Sequence, residues 1–145
     1  MVQSQSTSAA VIDALNGLLE AEQNSVFRFM GEGSPYLSRA SAELRKPLNE
    51  MVQAGQRHVL ELAAMIDDLG GIPQPGSIQP EEQYLAFLTF KFLLPKLVDA
   101  KQLTIRRYEN ALGALEGAPA SVVQLLESQL AEHRQHLKIL QNASA

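Results

Sequence analysis

Four ionisable side chains have the types and spacing of metal ligands, namely Glu22, His58, His133 and His136. Carboxylate and imidazole groups are common donors to divalent transition metals, and the sequence contains no cysteine. Any metal ion would therefore be held by nitrogen and oxygen atoms. Three or four such donors suit one zinc, iron, copper or nickel ion, whereas magnesium and calcium prefer oxygen ligands.

Each of these residues interrupts an apolar stripe with helical spacing. Residues three and four apart share one face of a helix, so a polar residue within such a stripe is directed towards the core. Lys101 interrupts a further stripe in the same way. Four helices therefore each direct an ionisable residue inwards near their middles. The stripes include Leu15, Leu18 and Leu19 around Glu22; Ala54 and Leu62 around His58; Leu97 and Ile105 around Lys101; and Leu130 and Leu140 around the two C-terminal histidines.

The same side chains also have a purely structural interpretation. A histidine on an apolar stripe is often a hydrogen-bonded core residue, and Glu22 and Lys101 could form a buried ion pair. At ~4 Å and an effective dielectric constant near ~20, such a pair attracts by roughly 4 kcal/mol before desolvation is subtracted. Lys101 could alternatively be a reactive amine. Tyr108 is either a core residue or a hydrogen-bond donor at the site, and Glu61 and Glu132 are either surface charges or additional groups around the metal.

Glycine and proline residues divide the chain into four predicted helices. Residues 1–7 are predicted to be a flexible N-terminus, 8–142 a single bundle and 143–145 a tail. A long connection, 71–79, separates the second and third helices. The helices are predicted from about Ser8 to Gly31 or Gly33; from Ser38 or Ser41 to Gly70, with Pro47 in the first turn or at a kink; from Pro80 to Gly117, with a kink or break near Pro95; and from Pro119 or Ala120 to about Asn142.

Composition narrows the class of protein. The chain has 145 residues, enough for one domain, and 12 basic against 16 acidic residues give a net charge of −4. No basic run is present, so nucleic acid is not an expected partner. The N-terminus lacks the features of a signal peptide, and no apolar stretch is long enough to span a membrane. We therefore expect a cytoplasmic protein, and the absence of cysteine fits a reducing compartment.

Four segments together resemble the ferritin-like superfamily, specifically its bacterioferritin and rubrerythrin branch. The resemblance covers nearly the whole chain and implies an all-α, up-down-down-up four-helix bundle with a long crossover between helices 2 and 3. In the first segment it implies that Glu22 is a terminal iron ligand. The segments are Leu15 to Glu22, His58 to Pro73, Lys101 to Leu112, and Leu130 to Leu140.

The chain departs from the di-iron pattern of that superfamily. Such a site uses a glutamate from each of two helices and a Glu-x-x-His pair from each of the other two. Here Gly55 precedes His58, His133 precedes His136, and Lys101 takes the place of a glutamate. The resemblance therefore implies a degenerate, mononuclear site holding one iron or zinc ion. Its function would be metal binding, or oxidation chemistry with dioxygen or peroxide. The alternative is a metal-free bundle with a structural or interaction role.

The resemblance also bears on assembly and on haem. Gln56 stands where the haem-binding branch has methionine, so no haem is expected. Because the sequence stops at Ala145, we expect no fifth helix of the kind found in cage-forming branches. A homodimer is expected instead. Its predicted contact surface is an aromatic run formed by Tyr84, Phe87, Phe90 and Phe92.

Overall fold

The computed structural model describes residues 2–25, 27, 42–76, 90–115 and 117–144, and these ranges contain four helices and no strand. Helix α1 spans Val2–Gln23, α2 spans Ala42–Asp68, α3 spans Phe90–Ala114 and α4 spans Ala120–Ser144. The predicted all-α class is confirmed. None of these described helices is long and apolar enough to cross a membrane.

Helices α1 and α2 run antiparallel. Ile12, near the middle of α1, lies against Gly71 after the end of α2, whereas Glu22 lies near Gly55 in the middle of α2. Residues later in α1 therefore contact residues earlier in α2. The segment after α2 is attached to α1 by Asn16, whose side chain donates to the Ile72 carbonyl and accepts from the Gln74 amide.

Helix α3 also runs antiparallel to α1. Lys101 lies over the Phe27 ring, whereas Tyr108, further along α3, reaches back to Glu22. Because α1 opposes both α2 and α3, these two helices run parallel, in agreement with the predicted long crossover between them. After α3 the chain turns at Gly117 and returns as α4, which gives the up-down-down-up order that the sequence predicts.

The start of α1 differs from the predicted start. The helix begins at Val2, inside the segment assigned to the N-terminus, so Ser8 is not its N-cap. No glycine or proline occurs between residues 2 and 7, and nothing in their backbone chemistry therefore stops the helix from extending.

The end of α1 also differs from the predicted end at Gly31 or Gly33. The helix ends at Gln23. The side-chain amide of Asn24 donates to the Glu20 carbonyl, and the Ser25 hydroxyl accepts from the Phe27 amide. Asparagine and serine side chains compete in this way with the helical backbone, and the apolar periodicity of the sequence does not register that competition. Residues 28–41 lie outside the described part of the chain.

Neither proline inside a helix ends it. α2 begins directly after Ser41, one of the two predicted starts, and continues through Pro47. α3 continues through Pro95, where the sequence predicts a kink or a break, and it has no break there. Leu94 and Leu97 are buried on either side of Pro95, and this packing offsets the lost backbone hydrogen bond. The predicted start of α3 near Pro80 lies outside the described residues.

The core consists of two hydrophobic clusters. The first occupies the end of the bundle that contains the start of α4, and the second occupies the opposite end. The first contains Val11, Leu15, Leu18, Leu19, Leu62, Ile66, Ile105, Tyr108, Leu115, Val122, Leu126 and Leu130. The second contains Phe27, Leu48, Met51, Val52, Leu94, Leu97 and Leu140.

Candidate metal centre

A layer of buried polar residues lies between the two hydrophobic clusters, and each helix contributes one ionisable residue to it. These are Glu22 from α1, His58 from α2, Lys101 from α3 and His133 from α4, and none is more than 4% exposed. In α2, α3 and α4 the layer residue lies between apolar residues of the two clusters, and in α1 it follows the first cluster, with Phe27 of the second cluster beyond the end of the helix. The four helix middles therefore meet, as the interrupted stripes predict.

Glu22 is the centre of this layer. Its Oε1 atom lies 2.5 Å from Nε2 of His133, 2.9 Å from the Tyr108 hydroxyl and 3.4 Å from Nδ1 of His58. Burial acts to raise the pKa of Glu22, but the interactions with His133 and His58 outweigh burial and hold the pKa well below its usual value. The carboxylate is therefore ionised at neutral pH.

His133 links Glu22 to Lys101. The Lys101 Nζ atom lies 2.9 Å from Nδ1 of His133 and 4.5 Å from the centre of the Phe27 ring. A charged ammonium group can only donate, so His133 accepts at Nδ1, carries its proton on Nε2 and donates that proton to Glu22. Burial lowers the pKa of Lys101 to about 8, against the opposing charges of Glu22 and Glu132. Burial also lowers the pKa of His133, which favours its neutral form.

Tyr108 contacts two acceptors with its single proton. Its hydroxyl lies 2.9 Å from Oε1 of Glu22 and 2.8 Å from the side-chain oxygen of Gln129. Gln129 in turn donates from Nε2 to Glu61, at 3.1 Å. Burial raises the pKa of Tyr108, and the charge of Glu22 raises it further, so the hydroxyl keeps its proton. Gln129 is not among the residues predicted from the sequence, although it is buried and lies four residues before His133 on the same helical face.

His58 lies between Glu22 and the surface. Its Nε2 atom is 3.4 Å from Oε1 of Glu132, and Arg57 donates to Oε2 of the same carboxylate. Burial acts to raise the pKa of Glu132, but the hydrogen bonds and charges of Arg57 and His58 together outweigh burial and lower the pKa. On the inner side, Nδ1 of His58 is buried and makes no hydrogen bond within the described residues. Its distance of 3.4 Å to Glu22 meets the criterion for an ion pair but not the geometry of a hydrogen bond.

Three of the four predicted ligands come together. One ligand atom each from Glu22, His58 and His133 lies within 4.8 Å of the other two, and this is the group in the described part of the chain with the composition and spacing to hold a metal ion. His136 is not a member of it. Its ring centre lies 6.3 Å from that of His133, and the side chain lines a polar cleft between α2 and α4. Burial lowers the pKa of His136 to about 4.

The remaining predicted residues surround the group. Lys101 contacts His133 instead of forming the predicted direct pair with Glu22, because the imidazole lies between the two charges. Tyr108 donates to the site as predicted, whereas Glu61 and Glu132 approach it through Gln129 and His58. The side chains of the aromatic run proposed for a dimer lie outside the described residues.

Comparisons with known proteins identify the fold. No family model matches the sequence, and no curated protein matches it. Among solved structures, the bacterioferritin of Desulfovibrio desulfuricans, crystallised to show its di-iron site, is 21% identical with a TM-score of 0.79; the match covers 96% of this chain and 80% of that chain.

Two other solved structures share the same fold. A ferritin-like di-iron carboxylate protein from Bacillus anthracis is 22% identical with a TM-score of 0.73, covering 96% of this chain and 98% of that chain. The dodecameric thioferritin of Bacteroides fragilis, a bacterioferritin-related protein, is 21% identical with a TM-score of 0.73, covering 93% of this chain and 84% of that chain. The protein therefore has the ferritin-like four-helix bundle fold.

Proposed function

We propose that this protein is a ferritin-like metal-binding protein that holds one divalent transition-metal ion through Glu22, His58 and His133. The observation that carries the proposal is the buried group itself, in which the three ligand atoms lie within 4.8 Å of one another. The residues come from three different helices whose packing fixes their relative positions. A site on rigid helices needs little rearrangement to bind an ion.

The donor set fits such an ion. Two imidazoles and one carboxylate are the protein ligands of many non-haem iron sites and of some catalytic zinc sites, which keep at least one position open. His58 offers a buried nitrogen without a hydrogen-bond partner among the described residues, and Glu22 offers an ionised carboxylate. Gly55 and Lys101 occupy positions where a di-iron site would have carboxylates, which favours one ion over two.

The surrounding residues would control the protons of the site. In the hydrogen-bonded arrangement, Nε2 of His133 carries a proton, which must leave before that nitrogen can bind a metal. With a metal on Nε2, the neutral imidazole would carry its proton on Nδ1, so Lys101 would have to give up a proton and accept from Nδ1 as a neutral amine to keep the ring oriented. Tyr108 would hold Glu22 through its hydroxyl. A bound iron ion would supply oxidation chemistry with dioxygen or peroxide, and zinc would supply Lewis acidity. The hydrophobic clusters cover the site on the two sides that face along the bundle.

The test is metal content per chain, measured by elemental mass spectrometry on protein purified without a tag or chelator. We expect about one equivalent of iron or zinc in the wild type and a loss of at least about tenfold in affinity for His58→Gln and His133→Gln. His136→Gln is the matched control, because it removes an imidazole outside the group and should retain the metal. Equal loss in all three variants would contradict the proposed ligand set.

A second candidate function, a metal-free structural bundle, is favoured by one observation. The chain of contacts from Lys101 through His133 to Glu22 pairs two buried charges without any ion. In that case metal content stays below about a tenth of an equivalent after reconstitution. His133→Leu should then destabilise the fold by about 1–3 kcal/mol, because both charges lose their shared partner.

We also propose that two copies of the chain associate, as the aromatic run predicts. The proposal rests on the sequence of residues 84–92, which is apolar on more than one helical face. Sedimentation equilibrium tests it: Phe87→Glu should shift a dimer to monomer, and a wild type that is monomeric at all concentrations would refute the proposal.

A further inference from the structure

A cavity of about 330 Å³ opens between the end of α1 and the middle of α2, directly beside Glu22. Its apolar wall is formed by Phe27, Val52, Val59 and Leu60. The volume lies at the lower end of the range for sites that bind small molecules, about 300–1,000 Å³. Leu60 is 71% exposed, so part of this wall is apolar surface in contact with water. The cavity is distinct from the interior where His58 and His133 face Glu22.

Gly55 connects the cavity to the buried carboxylate. A Cβ atom built at Gly55 would meet Oε2 of Glu22 at 4.0 Å, and, its own helix backbone aside, no other atom of the described residues within that distance. A longer side chain at this position would extend into the space beside the carboxylate, whereas glycine leaves it open. Within the described residues, the contacts of Glu22 with Tyr108, His133 and His58 all involve Oε1. The second oxygen, Oε2, lies beside Gly55, and Glu22 and Gly55 both line the cavity.

We propose that this cavity binds a small, largely apolar organic molecule whose hydroxyl or ammonium group donates a hydrogen bond to Oε2 of Glu22. The apolar walls favour the body of such a molecule, and the carboxylate at the inner end requires a donor. An anion is disfavoured because the described lining residues include no lysine or arginine. A molecule without a hydrogen-bond donor is also disfavoured, because it would displace water from an ionised oxygen without replacing the hydrogen bond that the water makes.

This proposal goes beyond metal binding and does not depend on it. The molecule contacts Oε2, whereas the group formed with His58 and His133 is built around Oε1. The two uses of Glu22 therefore involve different oxygens. Metal content per chain is measured on every sample below, so that failure of ligand binding and failure of metal binding are read separately.

The experiment uses four benzyl compounds as probes of the full chain by ligand-observed NMR titration. Benzyl alcohol and benzylammonium each carry a donor, benzyl methyl ether has no donor, and benzoate is an anion. We expect both donors to bind at one site, the ether to bind at least about tenfold more weakly, and benzoate not to bind. Equal affinity for the alcohol and the ether would overturn the proposed contact with Oε2.

Substitutions locate the site. Gly55→Leu fills the cavity and should weaken binding of benzyl alcohol by at least about tenfold. Gly113→Leu is the matched control. Gly113 is an exposed helical glycine, and beyond its own helix backbone no atom in the described part of the chain lies within 4 Å of a built Cβ, so this variant should bind as the wild type does. Leu60→Ser removes apolar wall at an exposed position, where the fold is not at risk, and should weaken binding several-fold. Unchanged binding in Leu60→Ser and in any folded Gly55→Leu protein would overturn the assignment to this cavity.

Discussion

Replacing Lys101 by methionine removes the buried cation while keeping an unbranched side chain of similar length. The ordinary lysine pKa is 10.5, and burial lowers that of Lys101 to about 8. A difference of about 2.5 pKa units corresponds to about 3 kcal/mol at ~1.36 kcal/mol per unit. This is the free energy by which the folded environment disfavours the charged amine relative to the unfolded chain.

The sign of the pH dependence follows from proton binding. Between pH 8 and 10.5 the unfolded chain keeps the Lys101 proton, whereas the folded chain has lost it. The unfolded state then binds more protons, so the free energy of unfolding of the wild type rises with pH, by up to ~1.4 kcal/mol per unit. Lys101→Met lacks this contribution. The raised pKa of Tyr108 acts in the opposite direction at high pH, but both proteins share it.

The assay is urea unfolding of both proteins across this pH range, followed by far-ultraviolet circular dichroism. We expect the wild type to gain about 3 kcal/mol relative to Lys101→Met between pH 8 and 10.5. Lys96→Met, an exposed lysine on the same helix, controls for the loss of one positive charge. A constant difference between wild type and Lys101→Met over this range would refute the burial of Lys101 against His133.

Three further predictions concern single side chains. Tyr108→Phe removes one of the two donors to Oε1 of Glu22, and we expect a loss of about 1–3 kcal/mol in urea unfolding; equal stability would mean that the hydroxyl does not contact the carboxylate. Gly70 has a φ of 83° after the end of α2, so Gly70→Ala should cost about 1–2 kcal/mol, whereas Gly113→Ala in open helical surface should gain about 0.5–1 kcal/mol. Thermal unfolding should show shifts of opposite sign. The pKa of His136 is lowered from 6.5 to about 4 in the folded chain, so between pH 6.5 and 4 the unfolded state binds more protons than the folded state. The free energy of unfolding therefore decreases as the pH is lowered from 6.5 to 4. Allowing for the partial exposure of His136, the drop should be about 1–2 kcal/mol, and His136→Leu should reduce it; an unchanged acid slope would contradict this.

The sequence was sufficient to predict that four polar residues meet near the middle of the bundle. Glu22, His58, Lys101 and His133 each interrupt an apolar stripe, and antiparallel packing brings such interruptions to one level. Which residues of that polar layer hydrogen-bond to one another was not predictable from the sequence. Lys101 bonds to His133 instead of Glu22 because the imidazole happens to fill the space between them, and a shift of a fraction of a helical turn decides this.

The position of His136 shows a second limit of periodicity. Residues three apart on a helix differ by about 60° in direction and about 4.5 Å in height. Both His133 and His136 therefore belong to the inward face, yet the first points to Glu22 and the second to the cleft between α2 and α4. Which of the two is central depends on the rotation of α4 about its own axis, and packing against the other three helices sets that rotation.

The polar layer between the two hydrophobic clusters also fixes how the helices align lengthwise. Apolar stripes repeat every turn, so a helix of leucines that slides by one turn, about 5.4 Å, still buries a similar surface. Here such a slide of α4 would bring Leu130 or Leu137 to Glu22 and carry His133 into a hydrophobic cluster. Glu22 would then lose the hydrogen bond from His133, and the buried Lys101 would lose its acceptor, which together is unfavourable by several kcal/mol. The buried charges thus select one register from several that the leucines alone would allow.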